Sequence, residues 1–398
     1  MIRIRAPKVN AALIGILILA GLAPGIVRAQ ADMQGFDRNA KPVPDFKLTP
    51  FYEWNLEHVG KKPGEVIKTE DIKAPEGAVA WRVMYVSRTW DDRLVPVTGI
   101  VVAPKEPGTK PRTVVSWTHG TTGGSRNSAP SLAENPAQNL VQRSPTVPID
   151  YGVPYLTEFL KRGYVVVATD YYGQGAPGVH HYMVGSTVAR NALDLVRAAR
   201  AMKGINAGSE FLALGWSQGG HAALFIGEDQ PGYAPELVAR GIAAIAPADL
   251  ISSPHPANIP HTYVLARAYR DAYNVPLTEF TEDGKKLIDA AGDVSITGVF
   301  RKSLELKEPF FAKDWSPEFK KALDLNVAGN RKSAVPVLVV HGTADNVAPP
   351  EGTKSLEALA KKSGTAIKVS WYEGKDHRSV SAAAQNEILA WFDERLKE

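Results

Sequence analysis

No cysteine occurs anywhere in the 398 residues. That absence excludes disulfides, a thiol nucleophile, a cysteine-ligated metal and a lipid-modified amino-terminal cysteine. If exported, a chain of this size would be held by its hydrophobic core alone. Net charge is scarce as well. The formal charge of +4 equals the contribution of Arg3, Arg5, Lys8 and Arg28, which sit ahead of residue 30 with no acid among them. A chain cut after Ala29 is balanced, so the basic character belongs to the leader and is no argument for nucleic acid or an anionic membrane. Aromatic content of 8% is ordinary for a globular protein, and neither internal repeats nor low-complexity arrays occur.

Long apolar runs are confined to the start. "MIRIRAPKVNAALIGILILAGLAPGIVRAQA" sets cations ahead of an apolar stretch and ends it with Pro24-Gly25 and the small-residue site Val27-Arg28-Ala29. It predicts a secretory signal peptide over 1–29, hence a periplasmic or extracellular protein; the alternative is an uncleaved anchor over Val9 to Val27. Residues 30–64 are polar and proline-punctuated and read as an extended arm.

From about residue 65 the pattern changes. "AVAWRVMYVSR" and "LVPVTGIVVAP" alternate, are rich in β-branched residues and flank a turn at Asp91-Asp92, the pattern of antiparallel strands. Short, continuously apolar runs follow at 113–120, 164–170, 210–216, 241–247 and 336–342, with 366–374 last. These are strands buried on both faces of a mainly parallel sheet, and helical patterns lie between several of them. The expected fold is α/β, a mostly parallel central sheet with helices on both faces. One connection, from Pro247 to Val335, runs to roughly ninety residues, several times the usual length. It carries four helix patterns and is expected to form a helical cap over 248–330, inserted into a core of 65–247 and 331–398.

The chemistry concentrates in "FLALGWSQGGHAALF" at 211–225. A Gly-x-Ser-x-Gly string alone is a weak signal, but here an apolar strand precedes it and a helix begins at once, the setting of a nucleophile elbow. A side chain at 215 or 219 would collide with the neighbouring strand or helix, and Ser217 would stand at the strand end over a helix N-terminus. The base is expected in the loop after the last strand, where "WYEGKDHRSV" offers His377, the last of nine histidines. The acid is expected between them: Asp345 lies just past its strand, Asp249 is the rival after the preceding one, and Asp376 ranks last because loop neighbours rarely face each other. Two backbone N–H groups would form an oxyanion hole. One is that of Gln218; the other comes from "HGTTGG", at Thr121, with Thr122 as the neighbour. Trp117 and Trp216 flank the two loops and are candidate acyl-pocket walls beside Thr122.

Other histidines have structural readings. His221 lies one helical turn past Ser217 and reads as a buried hydrogen-bonding residue, while His119 and His341 brace strand-end loops. Asp170 reads as a loop brace. The pair His180-His181 has metal-ligand chemistry but no third ligand in the sequence, so no metal is expected.

"HGTTGG", "GWSQGGHAAL", "HGTADNVAPP" and "GKDHRSV" stand in the order of the α/β-hydrolase family, and the chain resembles it over nearly its whole mature length. Within that family it is similar to the secretory lipase group, of the yeast lipase A type. The resemblance implies hydrolysis of carboxylic esters, no metal or organic cofactor, and a cap that shapes an acyl-binding tunnel. One departure is that fungal members rely on disulfides, which this chain cannot form.

Together these readings predict an exported serine ester hydrolase working through an acyl-enzyme on Ser217, with His377 as general base and Asp345 as orienting acid. Its partner would be a small-molecule or lipid ester, with a lipid interface engaged if the cap exposes an apolar patch. A peptidase or amidase of the same fold, a carbon-carbon hydrolase, and a non-catalytic binding protein on a hydrolase scaffold are the alternatives.

Overall fold

The computed structural model describes residues 43–106, 108–249, 259–305 and 314–397. The expected signal peptide and the first part of the arm lie outside the described residues. Nine strands form one sheet among the described residues, in the order β1-β2-β3-β5-β4-β6-β7-β8-β9. They are β1 (Val66–Ile72), β2 (Ala78–Arg88), β3 (Leu94–Pro104), β4 (Arg112–Thr118), β5 (Val165–Thr169), β6 (Ala207–Trp216), β7 (Val238–Ile245), β8 (Val337–Gly342) and β9 (Ile367–Tyr372). The first three pair antiparallel, β3 meets β5 antiparallel, and every later pairing is parallel. The expected α/β-hydrolase architecture is therefore present.

Period-two alternation explains why the central runs are apolar throughout. On β6, Phe211 and Ala213 enter a core on one face, while Leu212 and Leu214 enter a second core on the other. The first face is covered by α2 (Gly185–Ala201) and α3 (Gln218–Tyr233), and the second by α1 (Leu156–Lys161), α9 (Ser379–Ala383) and α10 (Gln385–Arg395). Each fully buried leucine or phenylalanine there contributes about 1.5–3 kcal/mol. A chain without disulfides draws its stability from such layers.

β1 was not anticipated from the sequence. Its residues "VIKTEDI" are half-buried or exposed, and its strand character comes from pairing along β2. In the arm, Phe51 and Tyr52 are buried against Met84, Leu132 and Ala176, so this segment is packed onto the sheet.

The long connection carries α4 (Ile259–Tyr273), α5 (Glu282–Ala290), α6 (Ile296–Ser303) and α7 (Pro317–Asp324). Thr281, Ser295 and Ser316 accept from the amides of Gly284, Gly298 and Phe319, so each of α5 to α7 starts on a side-chain N-cap. Their inward residues build a separate apolar cluster, including Tyr269, Ile288, Val299 and Phe319, with Tyr182, Met183 and Val184 reaching in from the core. α6 is tied to the loop after β4, since Ile296 N–H donates to Thr122 O at 2.8 Å. Asn326 ties the far end: its Oδ1 accepts from Gly185 N–H at 2.8 Å and its carbonyl from His221 Nε2–H at 2.7 Å.

Strand order fixes where a ligand can bind. β4 lies between β5 and β6 although it precedes both, so the crossovers leave it in opposite directions. In open α/β sheets, ligands bind at the carboxyl ends of strands at such a reversal.

Candidate active site

Ser217 caps the turn from β6 into α3, with φ 57° and ψ −119°, a conformation costly for a side-chain-bearing residue. The neighbouring glycines permit it. A Cβ on Gly215 would lie 1.9 Å from Gly219 O, and one on Gly219 would lie 1.8 Å from Thr118 O. The turn is thus pressed between its own helix and the end of β4, as the sequence reading required. Ser217 N–H donates to Ile245 O at 3.0 Å, and Ser217 O accepts from His221 N–H and Ala248 N–H. The serine is held by backbone bonds on both sides.

A second close approach joins the loops after β8 and β9. A Cβ on Gly342 would lie 2.0 Å from Lys375 O, and Ala344 N–H donates to that carbonyl at 3.0 Å. This contact brings Asp345 to His377, whose Nδ1–H donates to Asp345 Oδ2 at 2.7 Å. The same oxygen lies 3.1 Å from His341 Nε2. Asp345 Oδ1 accepts from the amides of Val347 and Ala348, both at 2.9 Å. Burial works to raise this carboxyl, but the facing His377 and His341 outweigh it and hold it well below the usual carboxylate range. A buried carboxylate with three hydrogen-bond donors and a second imidazole beside it stays ionised and fixes the Nδ1–H tautomer of His377.

Ser217 and His377 line one cavity of about 360 Å³ together with Thr121, Trp216 and, among the described residues, Arg143, Asp150, His261, Asn346, Val347, Asp376 and Arg378. Trp216 also supports the histidine, since its Nε1–H donates to His377 O at 2.9 Å and the two rings lie 5.4 Å apart. Gln218 opens α3, so its backbone N–H is one of the helix-end donors next to Ser217.

Neither rival acid is bonded to His377: Asp249 is not in the cavity wall, and Asp376, though it lines the cavity, is bonded to its own turn. Asp249 packs against α8 (Pro350–Ser363), where a Cβ on Gly352 would sit 2.7 Å from its carboxylate. Asp376 faces its own turn, accepting from Arg378 N–H at 3.1 Å and from Ser379 N–H and Oγ–H at 2.7 and 2.6 Å.

Two of the three expected pocket residues are not at the cavity. Strand alternation turns Trp117 into the core on one sheet face, while Thr118 points the other way, to Leu214 O and Gly219 O. Thr122 is fully buried, its hydroxyl accepting from Gln174 Nε2–H at 2.9 Å and its carbonyl engaged by α6. Trp216 alone of the three lines the cavity.

Among the described residues, His119, His180, His181, His221 and His341 are spent on internal bonds. His221 Nε2–H donates to Asn326 O, and burial pushes its imidazole down to about 4. His119 lies within reach of Gly120 O and Asp170 O, at 2.7 and 3.4 Å. Asp170 accepts from Thr98 Oγ–H and from Ser131 N–H and Oγ–H, a brace as expected. His180 and His181 each bond to different partners, and no metal-binding cluster occurs among the described residues.

The charged rim was not anticipated. Asp150 is buried and takes a bidentate ion pair from Arg378 at 2.8 and 3.3 Å, with Arg143 Nη1 3.9 Å away. Burial, reinforced by the nearby Arg378 charge, pushes the Arg143 guanidinium down to about 10. The Arg378 guanidinium lies 5.5 Å over the Trp216 ring. His261, on α4, is the wall contributed by the long connection. Desolvation, with Arg143 and His377 adding to it, pushes its imidazole down to about 3.

By fold the chain is an α/β-hydrolase, with a serine on a strained strand-to-helix turn and a carboxylate-bound histidine at the carboxyl ends of its strands. Its resemblance to the secretory lipases is borne out: residues 138–253 match the model of the secretory lipase family. Residues 303–398 match that of the prolyl oligopeptidase family. Lipase A of Arthroderma benhamiae is 24% identical over 273 residues, covering 63% of this chain. The chain spans 57% of that relative's length. Among solved structures, lipase A of Candida antarctica in its closed state has a TM-score of 0.66 at 17% identity, covering 88% of this chain and 86% of its own. The rice cell wall degrading esterase LipA of Xanthomonas oryzae has a TM-score of 0.67 at 15% identity, covering 84% and 99%. A putative hydrolase of Legionella pneumophila has a TM-score of 0.67 at 15% identity, covering 83% and 98%.

Proposed function

We propose that the protein is an exported serine hydrolase of carboxylic esters. The observation that carries this reading is the pairing of His377 Nδ1 with Asp345 at 2.7 Å beside a cavity that the left-handed Ser217 also lines. Ser217 Oγ attacks the acyl carbon while His377 Nε2 takes its proton. Asp345 holds the ring in the productive tautomer and stabilises the imidazolium that forms. The backbone N–H groups of Gln218 and Thr121 receive the oxyanion. His377 then returns the proton to the departing alcohol, and water, activated by the same histidine, releases the acid from the acyl-enzyme.

The helices of 248–330 act as a cap in this reading, and His261 carries its side of the cavity wall. The wall supports a short or polar ester over a long acyl chain, because arginine, aspartate, histidine and asparagine side chains line it among the described residues. A peptidase of the same fold is the second reading, favoured by the match of 303–398, which includes Asp345 and His377.

Mass mapping of an activated phosphonate adduct tests the nucleophile: the label is expected on Ser217, and labelling elsewhere sinks the mechanism. A series of p-nitrophenyl esters from acetyl to palmitoyl, run beside peptide anilides, tests the substrate class. Fastest turnover of the short esters is expected. Turnover of the anilides with none of the esters would overturn it.

A further inference from the structure

Between β5 and α2 the chain makes a tightly wound loop, residues 170–184, none of which lines the cavity. A Cβ on Gly173 would lie 2.2 Å from His180 N, and one on Gly178 would lie 2.2 Å from the Tyr172 ring. Both glycines have positive φ, 80° and 141°. Backbone and ring are packed together with no room for a methyl group, which makes the loop a rigid support.

From this support three consecutive residues reach out. His180 Nδ1–H donates to Tyr172 O at 3.0 Å, so its Nε2 is left as an acceptor, and it faces the Gln218 side-chain Nε2–H at 3.2 Å. Tyr182 OH pairs with Thr121 Oγ1 at 2.9 Å. His181, between them, meets Thr187 Oγ1 at the start of α2 and Asp271 Oδ2 on α4, both at 3.1 Å. Burial pushes His180 down to about 3, which keeps it the neutral acceptor.

We propose that the tripeptide His180-His181-Tyr182 is a positioning element that sets both oxyanion donors, Gln218 through its side chain and Thr121 through its hydroxyl, and ties them to the helical segment. This rests on the proposed roles of Ser217, Gln218 and Thr121. The physical need is plain. A preorganised donor is worth about 10²–10³ in rate only while it stays aimed at the developing charge. The two donors come from separate loops, after β4 and after β6, whose backbones meet where Thr118 Oγ–H donates to Gly219 O at 2.7 Å, while the side chains of Gln218 and Thr121 are both held from a third loop. One rigid loop bonded to both side chains sets one against the other without touching substrate.

The test uses the full mature protein and a short p-nitrophenyl ester. Tyr182→Phe removes one hydroxyl. His180→Asn keeps the bond to Tyr172 O but loses the acceptor for Gln218, whereas His180→Gln restores an amide oxygen at that reach. Tyr182→Phe and His180→Asn are expected to lower kcat by about tenfold, a fraction of the loss for a deleted donor, with KM unchanged. Affinity for a phenylboronate, which forms a tetrahedral adduct on the serine, should weaken by the same factor, and His180→Gln should recover most of it. Unchanged kcat in both variants overturns the proposal. So does a loss that appears equally in KM and in Tm, or one that His180→Gln does not relieve. Ser217→Ala is the separating control: if it keeps full ester turnover, the serine reading falls and this proposal with it, whereas an inactive Ser217→Ala beside unaffected clamp variants removes the clamp alone.

Discussion

Asp345→Asn is the substitution that asks most of the geometry. Asp345 presents one oxygen to His377 and, 3.1 Å away, to His341, and the other to two backbone amides; His377 and both amides donate to it, while His341 Nε2–H donates to Ala348 O. An asparagine must turn its NH2 to one pair or the other. Facing the histidines, it obliges His377 to accept at Nδ1 and so to carry its proton on Nε2, where it cannot take one from Ser217. Facing Val347 and Ala348, it leaves two N–H groups without acceptors, at about 1–3 kcal/mol each. The first arrangement costs less in stability and more in rate. A histidine locked in the wrong tautomer loses about 10⁴ in turnover, or about 5 kcal/mol of transition-state stabilisation. The assay is kcat on a short p-nitrophenyl ester, paired with the phosphonylation rate of Ser217, which should fall in parallel because both need the same proton transfer. Asp249→Asn is the control. Its carboxylate sits against Gly352 and away from His377, so a change below about threefold is expected, the scale of about 0.5 kcal/mol. Loss of activity in Asp249→Asn with Asp345→Asn still active would refute the assignment.

Three other substitutions probe neighbouring contacts. Gly219→Ala puts a methyl group 1.8 Å from Thr118 O, so soluble yield and activity should both collapse; a folded, active variant would show that the elbow can open. Trp216→Phe deletes the indole bond to His377 O and should lower kcat by about tenfold, or about 1.4 kcal/mol, with KM little changed; equal loss in KM would make Trp216 a substrate contact instead. Burial raises Asp170 to about 6, above an unfolded value of about 4. The folded chain keeps this proton over that window, so the contribution of Asp170 to stability, about 3 kcal/mol, is present below about pH 4 and lost as pH rises through about 6. Asp194 is raised to about 6 by the same cause. Glu228 is likewise raised by burial, to about 7, so Asp170→Asn should remove roughly a third of the fall of Tm over that range, and an unaltered slope would contradict it.

Much of the fold was legible because burial on both faces leaves a strong mark. β2 and β3 begin and end where their alternating β-branched runs do, and the apolar runs of β4 to β8 can only be strands covered by helices on either side. β1 was not legible because its centre is charged: Lys68, Glu70 and Asp71 break the apolar alternation of "VIKTEDI", and pairing along Ala80 to Tyr85 supplies what that pattern does not. At the site, the order of Ser217, Asp345 and His377 was readable because each follows a recognisable strand. What pins them is less readable. His341 read as a loop brace and is one, bonded to Thr353 Oγ1 and Ala348 O at 2.7 and 2.9 Å, but its Nε2 also lies 3.1 Å from Asp345, which the sequence does not show.

The cavity wall shows most clearly where sequence reasoning stops. Arg143 and Asp150 come from the loop-like stretch after β4, His261 from α4, and Arg378 from the turn after His377; no local pattern joins them. Asp150 is buried with Arg378 and Arg143 around it, and such a carboxylate is stable only once distant chain segments have brought their charges to it. The same holds for the support behind the oxyanion loop. Read in sequence, His180-His181 has metal-ligand chemistry but no third ligand, which leaves its role open. In the fold the two rings point to different elements, one to Gln218 and one to Asp271, and the shared neighbour Tyr182 completes a link from the helical segment to both donors. Residue type limits what a side chain can do, but the choice between ligand, base and brace is made by which loops the sheet brings within hydrogen-bonding reach of it.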